Sequence, residues 1–148
     1  MKRLPLPAQR GSTLIEALLA VVVFSFGVLA LVGVEGSAIK SVQAAKSRAD
    51  ASNLADQIVA MMWADRGNLA AYAHYPGGTG SCTNTGSASA NANVTAWIGQ
   101  VTAALPGATS ANQQIVIGAN NVVTVTLCWK LPEDATWHNF SERAQING

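Results

Sequence analysis

GSTLIEALLAVVVFSFGVLALVGVEG, residues 11–36, decides how the rest of the chain is read. From Ala17 to Val34, eighteen consecutive residues carry no charge. At about 1.5 Å per residue such a run makes a helix of roughly 27 Å, close to the hydrocarbon thickness of a bilayer. Residues 1–11 before it hold Lys2, Arg3 and Arg10 and no acid. Short basic flanks stay on the cytoplasmic side, so the expected orientation is N-terminus inside and everything after Glu35 outside. Glu16 stands one position before the apolar run. A carboxylate at the centre of a bilayer costs on the order of 2.5–3.5 kcal/mol, so Glu16 is a candidate functional residue whose partner should be a cation. A secretory signal peptide would be cut after the apolar run at small residues, and here Glu35 interrupts that region. A plain bitopic anchor leaves Glu16 unexplained.

Composition divides along the same line. The 148 residues include nine Lys plus Arg and eight Asp plus Glu, only 11% charged against 49% hydrophobic, with a mean hydropathy of +0.23. Soluble domains carry about 25% charged residues. A net charge of +1 offers no basic patch for nucleic acid. The length suits one small domain beyond the apolar segment.

Gly11-Ser12-Thr13-Leu14-Ile15-Glu16, after a short basic leader and before the apolar stretch, resembles the class III signal of type IV pilins and type II secretion pseudopilins. The resemblance implies a prepilin peptidase that cuts between Gly11 and Ser12 on the cytoplasmic side and methylates the new terminus at Ser12. It also implies an apolar helix that is first an inner-membrane anchor and later part of a filament core. Glu16 matches the family's glutamate, five residues into the mature chain; Ser12 stands where the family usually has Phe. A free amine at Ser12 and a carboxylate at Glu16 place opposite charges at one end of an apolar helix, where an unpaired charge is costly. Pairing between Glu16 of one subunit and the terminal amine of a neighbour would set axial register in subunit assembly. Loss of Lys2, Arg3 and Arg10 with the leader takes nine cations to six against eight acids, and +1 to −2.

Past Glu35 the helical pattern continues with a changed surface. Ile39, Val42, Ala45, Ala49, Leu54, Ile58 and Met62 recur at three- to five-residue steps, while Lys40, Lys46, Arg48, Asp50, Asp56 and Asp65 take other faces. The helix should end near Asp65-Arg66, with Gly67 as a left-handed cap. From Thr13 that makes more than fifty residues, a length that a pilin-type stalk accounts for. Gly27, Gly33 and Gly36 are either points of bending or sites of close packing.

Residues 67–93 read as a small, polar, almost chargeless loop. Trp97, Ile98, Val101 and Leu105 predict a short amphipathic helix over 94–105, closed by Pro106-Gly107. Residues 114–117 and 122–131, joined by Gly118-Ala119-Asn120-Asn121, predict a β-hairpin. Val123, Val125, Leu127, Trp129 and Leu131 share one face, which should pack on the amphipathic half of the long helix. Because a lone ribbon is marginal, a third strand is expected around Trp137 to Phe140, after a turn at Pro132-Glu133-Asp134.

Arg66-Gly67-Asn68 with Tyr72, Trp97 before Leu105-Pro106-Gly107, and the Val-x-Val-x-Leu-x-Trp strand ending at Trp129 together resemble minor pilins of the PilV type. That implies a subunit partnering other minor pilins and the major pilin in a priming or tip complex, with a tip adhesin as a further partner. For Trp97 and Trp129 plain core packing is the preferred role. Cys82 and Cys128, 46 positions apart, are the only cysteines, and in an exported domain one disulfide is the default. It is preferred over a metal site with His74 and His138, because no close ligand spacing is present.

No G-x-S-x-G, H-E-x-x-H or Walker A pattern occurs, and no cofactor is called for. His74, His138, Glu133, Asp134 and Glu142 read as surface or partly packed groups. The expected class is α+β and type IV pilin-like: leader 1–11, membrane and filament-core helix 12–35, amphipathic half 36–66, and a globular head 67–148 with one disulfide, on an antiparallel sheet. The expected protein is a substrate of prepilin peptidase rather than an enzyme, in the inner membrane with its head periplasmic and, after assembly, in the pilus. A minor pseudopilin of type II secretion shares this architecture, and a bitopic envelope binding or adhesion module would keep an uncleaved terminus.

Overall fold

The computed structural model describes residues 12–78, 82–132 and 134–147. The leader, Gly11 and Glu133 lie outside them. Two compact units are present, a first ending at Gln43 and a second beginning at Ala44. Helix α1, Ser12–Ala64, contributes to both.

In the first unit the described part is helix alone, and every side chain from Thr13 to Gln43 is exposed. Ile39 and Val42 are among them, although their spacing predicts a packed face. Periodicity reveals which side of a helix is apolar but not what covers it. In the second unit the buried stripe runs from Ser47 through Ala51, Leu54, Ala55, Ile58 and Val59 to Met62, the three- and four-residue steps of one helical face.

The predicted left-handed stop at Gly67 does not occur. Asp65 N–H still donates to Met61 C=O at 3.0 Å and Asn68 N–H to Asp65 C=O at 3.0 Å, so the chain tightens into a 3-10 turn over Arg66–Tyr72. Asp65 serves that turn with both carboxylate oxygens, accepting from Asn68 Nδ2 at 2.6 Å and from the Tyr72 hydroxyl at 3.2 Å. Nor is 67–93 simply a loop. Strands β1, Gly77–Gly78, and β2, Asn84–Thr85, pair antiparallel within it. Gly78 has φ +98° and a Cβ there would lie 2.9 Å from the Thr83 carbonyl, so only glycine fits.

Helix α2, Ala92–Ala104, starts where Asn91 caps it, the side chain accepting from Asn93 N–H at 2.8 Å and Val94 N–H at 3.4 Å. Its buried face is Val94, Trp97 and Val101, followed by Leu105. Gly107, at φ +66°, lets the segment leaving α2 lie against Lys130, whose carbonyl would be 2.7 Å from an added Cβ.

Strands β3, Gln114–Ile117, β4, Val122–Trp129, and β5, His138–Gln145, form an antiparallel sheet in that order. Asn120 and Asn121, at φ 56° and 54°, supply the two left-handed residues of the β3–β4 hairpin. The strand ends at Trp129 rather than Leu131, because Lys130 N–H turns to Pro106 C=O at 2.9 Å. Strand β5 is twice as long as 137–140 suggests, pairing with β4 from Trp129↔His138 to Val122↔Gln145. Its sequence, HNFSERAQ, shows little β-propensity, and the backbone ladder of β4 supplies what propensity does not. Val123, Val125, Leu127 and Trp129 face inward as predicted and join α1, α2, Leu69, Tyr72 and Ile146 in one core. The long helix is therefore packed on a small antiparallel sheet, an α+β arrangement of the pilin-like kind.

Cys82 and Cys128 are joined, with Cα atoms 5.6 Å apart. Closing a loop of 46 residues stabilises by up to about 4 kcal/mol on the chain-entropy argument. The sequence offers no hint of what holds Cys128 in place. Gln113, fully buried, accepts from Cys128 N–H at 2.9 Å and donates to Cys128 C=O at 3.1 Å, so its amide acts as one more rung of β3. Asn112 Nδ2 donates to Cys82 C=O at 2.7 Å, fixing the other half-cystine.

Candidate functional site

The sequence points to the start of α1, and the helix there has a distinctive surface. Ser12 begins it, and Glu16 follows at i+4, so the two share one face a turn apart. The first turn contains no acid. At a helix start the free N–H groups and the macrodipole carry partial positive charge, and a primary amine at Ser12 would add a full one. A carboxylate one turn along is then the closest anionic group on that face. Glu16 itself is exposed.

From Ala17 to Val34 the helix is apolar on every face. Fourteen large apolar side chains from Leu14 to Val34 are exposed, between 46% at Val28 and 71% at Leu14 and Phe24. At about 25 cal/mol per Å², so much apolar surface is stable only in lipid or against other protein. The helix is long and apolar enough to cross a membrane. Ser25 keeps its hydroxyl satisfied by donating to Val21 C=O at 2.7 Å, so the group is not left unpaired on an apolar surface.

Residues 6–32 match the family model of the prokaryotic N-terminal methylation motif. The matched stretch takes in Gly11, Ser12, Glu16 and most of the apolar run. It supports a type IV pilin-like or pseudopilin-like protein, with a prepilin-type substrate rather than an enzyme at its N-terminus. The apolar helix at this end is consistent with a pilin-type membrane anchor. The match spans less than a fifth of the chain. No curated protein and no solved structure matched.

Among the described residues no three of His, Cys, Asp and Glu gather as metal ligands would. His138 Nε2 lies 2.7 Å from Asp134 Oδ2, and its ring stacks on Trp129 at 5.9 Å. His74, read from the sequence as a surface or partly packed group, is 2% exposed. Its Nε2 lies 3.0 Å from Ser110 C=O and its Nδ1 accepts from Ser89 N–H at 3.1 Å, which together require the neutral Nε2–H tautomer. Its own backbone pairs with Ile115, N–H to C=O at 3.0 Å and back at 2.9 Å, extending the sheet past β3. His74 is thus a structural pin, a role that a lone histidine in a polar run gives no means of foreseeing.

Burial holds the His74 pKa below 6.5, opposed by the bond to Ser110. A lowered histidine pKa means that the unfolded chain binds the proton more readily than the folded one, so stability falls as pH drops below 6.5. Glu142 acts in the opposite sense: burial first, then the charge of Asp56 and a hydrogen bond with it, raise its pKa above 4.5, so the folded form gains stability as pH falls towards 4.5. Thermal unfolding of the full chain in detergent should therefore show a midpoint that drops by several degrees on acidification from pH 7 through 6. The drop should vanish in His74→Gln, and an unchanged drop in that variant would contradict the assignment.

Proposed function

We propose that this chain is a minor pilin of the PilV type that takes part in type IV pilus assembly, in a priming or tip complex with other minor pilins. The methylation motif at 6–32, overlapping an apolar helix whose large apolar side chains are exposed among the described residues, carries the reading. Prepilin peptidase cuts between Gly11 and Ser12 and methylates Ser12. The helix anchors the chain in the inner membrane, N-terminus cytoplasmic and head periplasmic, and then passes into the filament. Glu16 meets the terminal amine of a neighbouring subunit, major or minor. The Cys82–Cys128 bond suits an oxidising periplasm, and a tip adhesin is the further partner of the head.

The test is the intact mass of the chain extracted from the membrane of a cell with prepilin peptidase. The expected mass lacks residues 1–11 and carries one added methyl group. A full-length mass would remove the processing claim and favour an uncleaved envelope module. Co-purification with secretion-system subunits in place of pilus subunits would favour the minor pseudopilin.

A further inference from the structure

The outer edge of β5 is a free row of backbone donors and acceptors. Gly118 N–H donates to Val122 C=O at 2.8 Å, so Val122 and every second residue after it turn their backbone groups towards β3. Val123, Val125, Leu127 and Trp129 then serve β5, through Ala144, Glu142, Phe140 and His138. The use of both Ile115 backbone groups by His74, away from β4, agrees with this phase. Asn139, Ser141, Arg143 and Gln145 are left pointing outward, and among the described residues nothing pairs with their backbone N–H and C=O groups. Natural edges are blunted by shortness, proline, lysine or a bulge; β5 is eight residues long, pairs one-to-one with β4 throughout, and contains neither proline nor lysine.

The acidic residue on this edge faces inward. Glu142 shares its face with His138, Phe140 and Ala144, all half-buried, and among the described residues no strand lies beyond them. Its Oε2 is shielded from solvent and meets no N–H or O–H donor among the described residues; the carboxyl group is held only against the Asp56 carboxylate, with which it shares a hydrogen bond. Asp56 of α1 lies beside it and adds a second negative charge, which together with burial raises the Glu142 pKa. Two copies joined edge to edge about this position would bring Glu142 against Glu142, so the charge disfavours self-pairing.

We propose that the free edge of β5 docks an extended segment of another polypeptide as an antiparallel fourth strand, with a lysine or arginine opposite Glu142 and apolar residues two positions to either side. The outward backbone groups of Ser141 and Arg143 flank Glu142, which makes the position opposite Glu142 a non-hydrogen-bonded pair, the kind in which side chains approach most closely. A cation there supplies Oε2 with a charged donor and offsets the paired negative charge of Asp56. Apolar neighbours cover Phe140 and Ala144. Backbone pairing provides affinity, and the basic residue provides selectivity against neutral or acidic strands. The docking edge lies wholly in the second unit and does not depend on the pilin reading.

The probe is the capped peptide Thr-Val-Thr-Lys-Thr-Val-Thr, titrated onto the full chain in detergent micelles and compared with the same peptide carrying Glu at its centre. Saturable binding of the Lys peptide is expected, with slowed amide exchange at Ser141 and Arg143. The Glu peptide should bind at least about tenfold more weakly. Glu142→Gln should erase most of that difference. Arg143→Pro removes an outward N–H that the β4 ladder does not use and should abolish binding. Equal affinity for the two peptides, or no added protection at Ser141 and Arg143, would overturn the proposal. Because the protection is measured on the unaltered chain, either outcome stands whether or not Arg143→Pro keeps its fold.

Discussion

Replacing Glu16 with alanine is expected to leave the chain in the membrane fraction while co-purification with partner pilins falls by at least about tenfold, the loss expected when a desolvated charge pair is broken. The two halves of that result have separate causes. Insertion depends on the apolar run from Ala17 to Val34, which the substitution leaves intact and in fact lengthens. A carboxylate removed from hydrocarbon lowers the cost of insertion, by up to about 2.5–3.5 kcal/mol at full depth. On the proposed pairing, assembly depends on what the carboxylate meets. In an apolar filament core an amine left without its anion is a buried unpaired charge, and the loss of one partner is felt more than the net worth of the pair. Glu16→Gln keeps shape and hydrogen bonding but not charge and should behave like the alanine variant. Undiminished assembly in both would remove the assigned role of Glu16.

The second large effect lies in the head. Trp97→Ala should cost about 3–5 kcal/mol, the range for deleting a buried aromatic side chain. Trp97 is fully buried and donates its indole N–H to Leu54 C=O at 2.8 Å. It is therefore both one of the two tryptophans that fill the core and a tie between α2 and α1. Trp97→Phe keeps most of the volume and loses the tie, for which about 1 kcal/mol is expected. Amide exchange in α2 and β4 of the detergent-solubilised full chain reads both. The alanine variant should bring those amides close to the exchange of an unfolded chain, and the phenylalanine variant should accelerate them only modestly. Similar exchange in the two variants would show that packing volume at this position matters little.

The elements that strong local chemistry dictates were legible in the residues. Eighteen uncharged residues and a three-to-four-residue period predict a helix beyond fifty residues, and α1 runs Ser12–Ala64. Alternating Val, Leu and Trp beside two asparagines predict the β3–β4 hairpin, whose turn uses Asn120 and Asn121 with positive φ. The features that were not legible depend on groups distant in sequence. Nothing in the residues around Gln113 marks it as buried; its place is set only when β4 brings Cys128 to it. His74 reads as a loop histidine until Ser89, Ser110 and Ile115 surround it. Strand β5 carries Glu142 in the middle of its inward face, which hides the two-residue period from any reading of hydrophobicity.

By itself the sequence determined the N-terminal third: a run of apolar residues long enough to span a bilayer is helical there whatever follows, since every backbone group must be satisfied within the segment. The motif at 6–32 belongs to the same local order. Only the tertiary structure decided the head's details: where α1 begins to be covered, how Gln113 completes the sheet beside the disulfide, and which edge of β5 is open. Those outcomes turn on hydrogen bonds and burial between residues tens of positions apart, and a carboxylate such as Glu142 has one meaning in water and another beside Asp56 at the margin of a core.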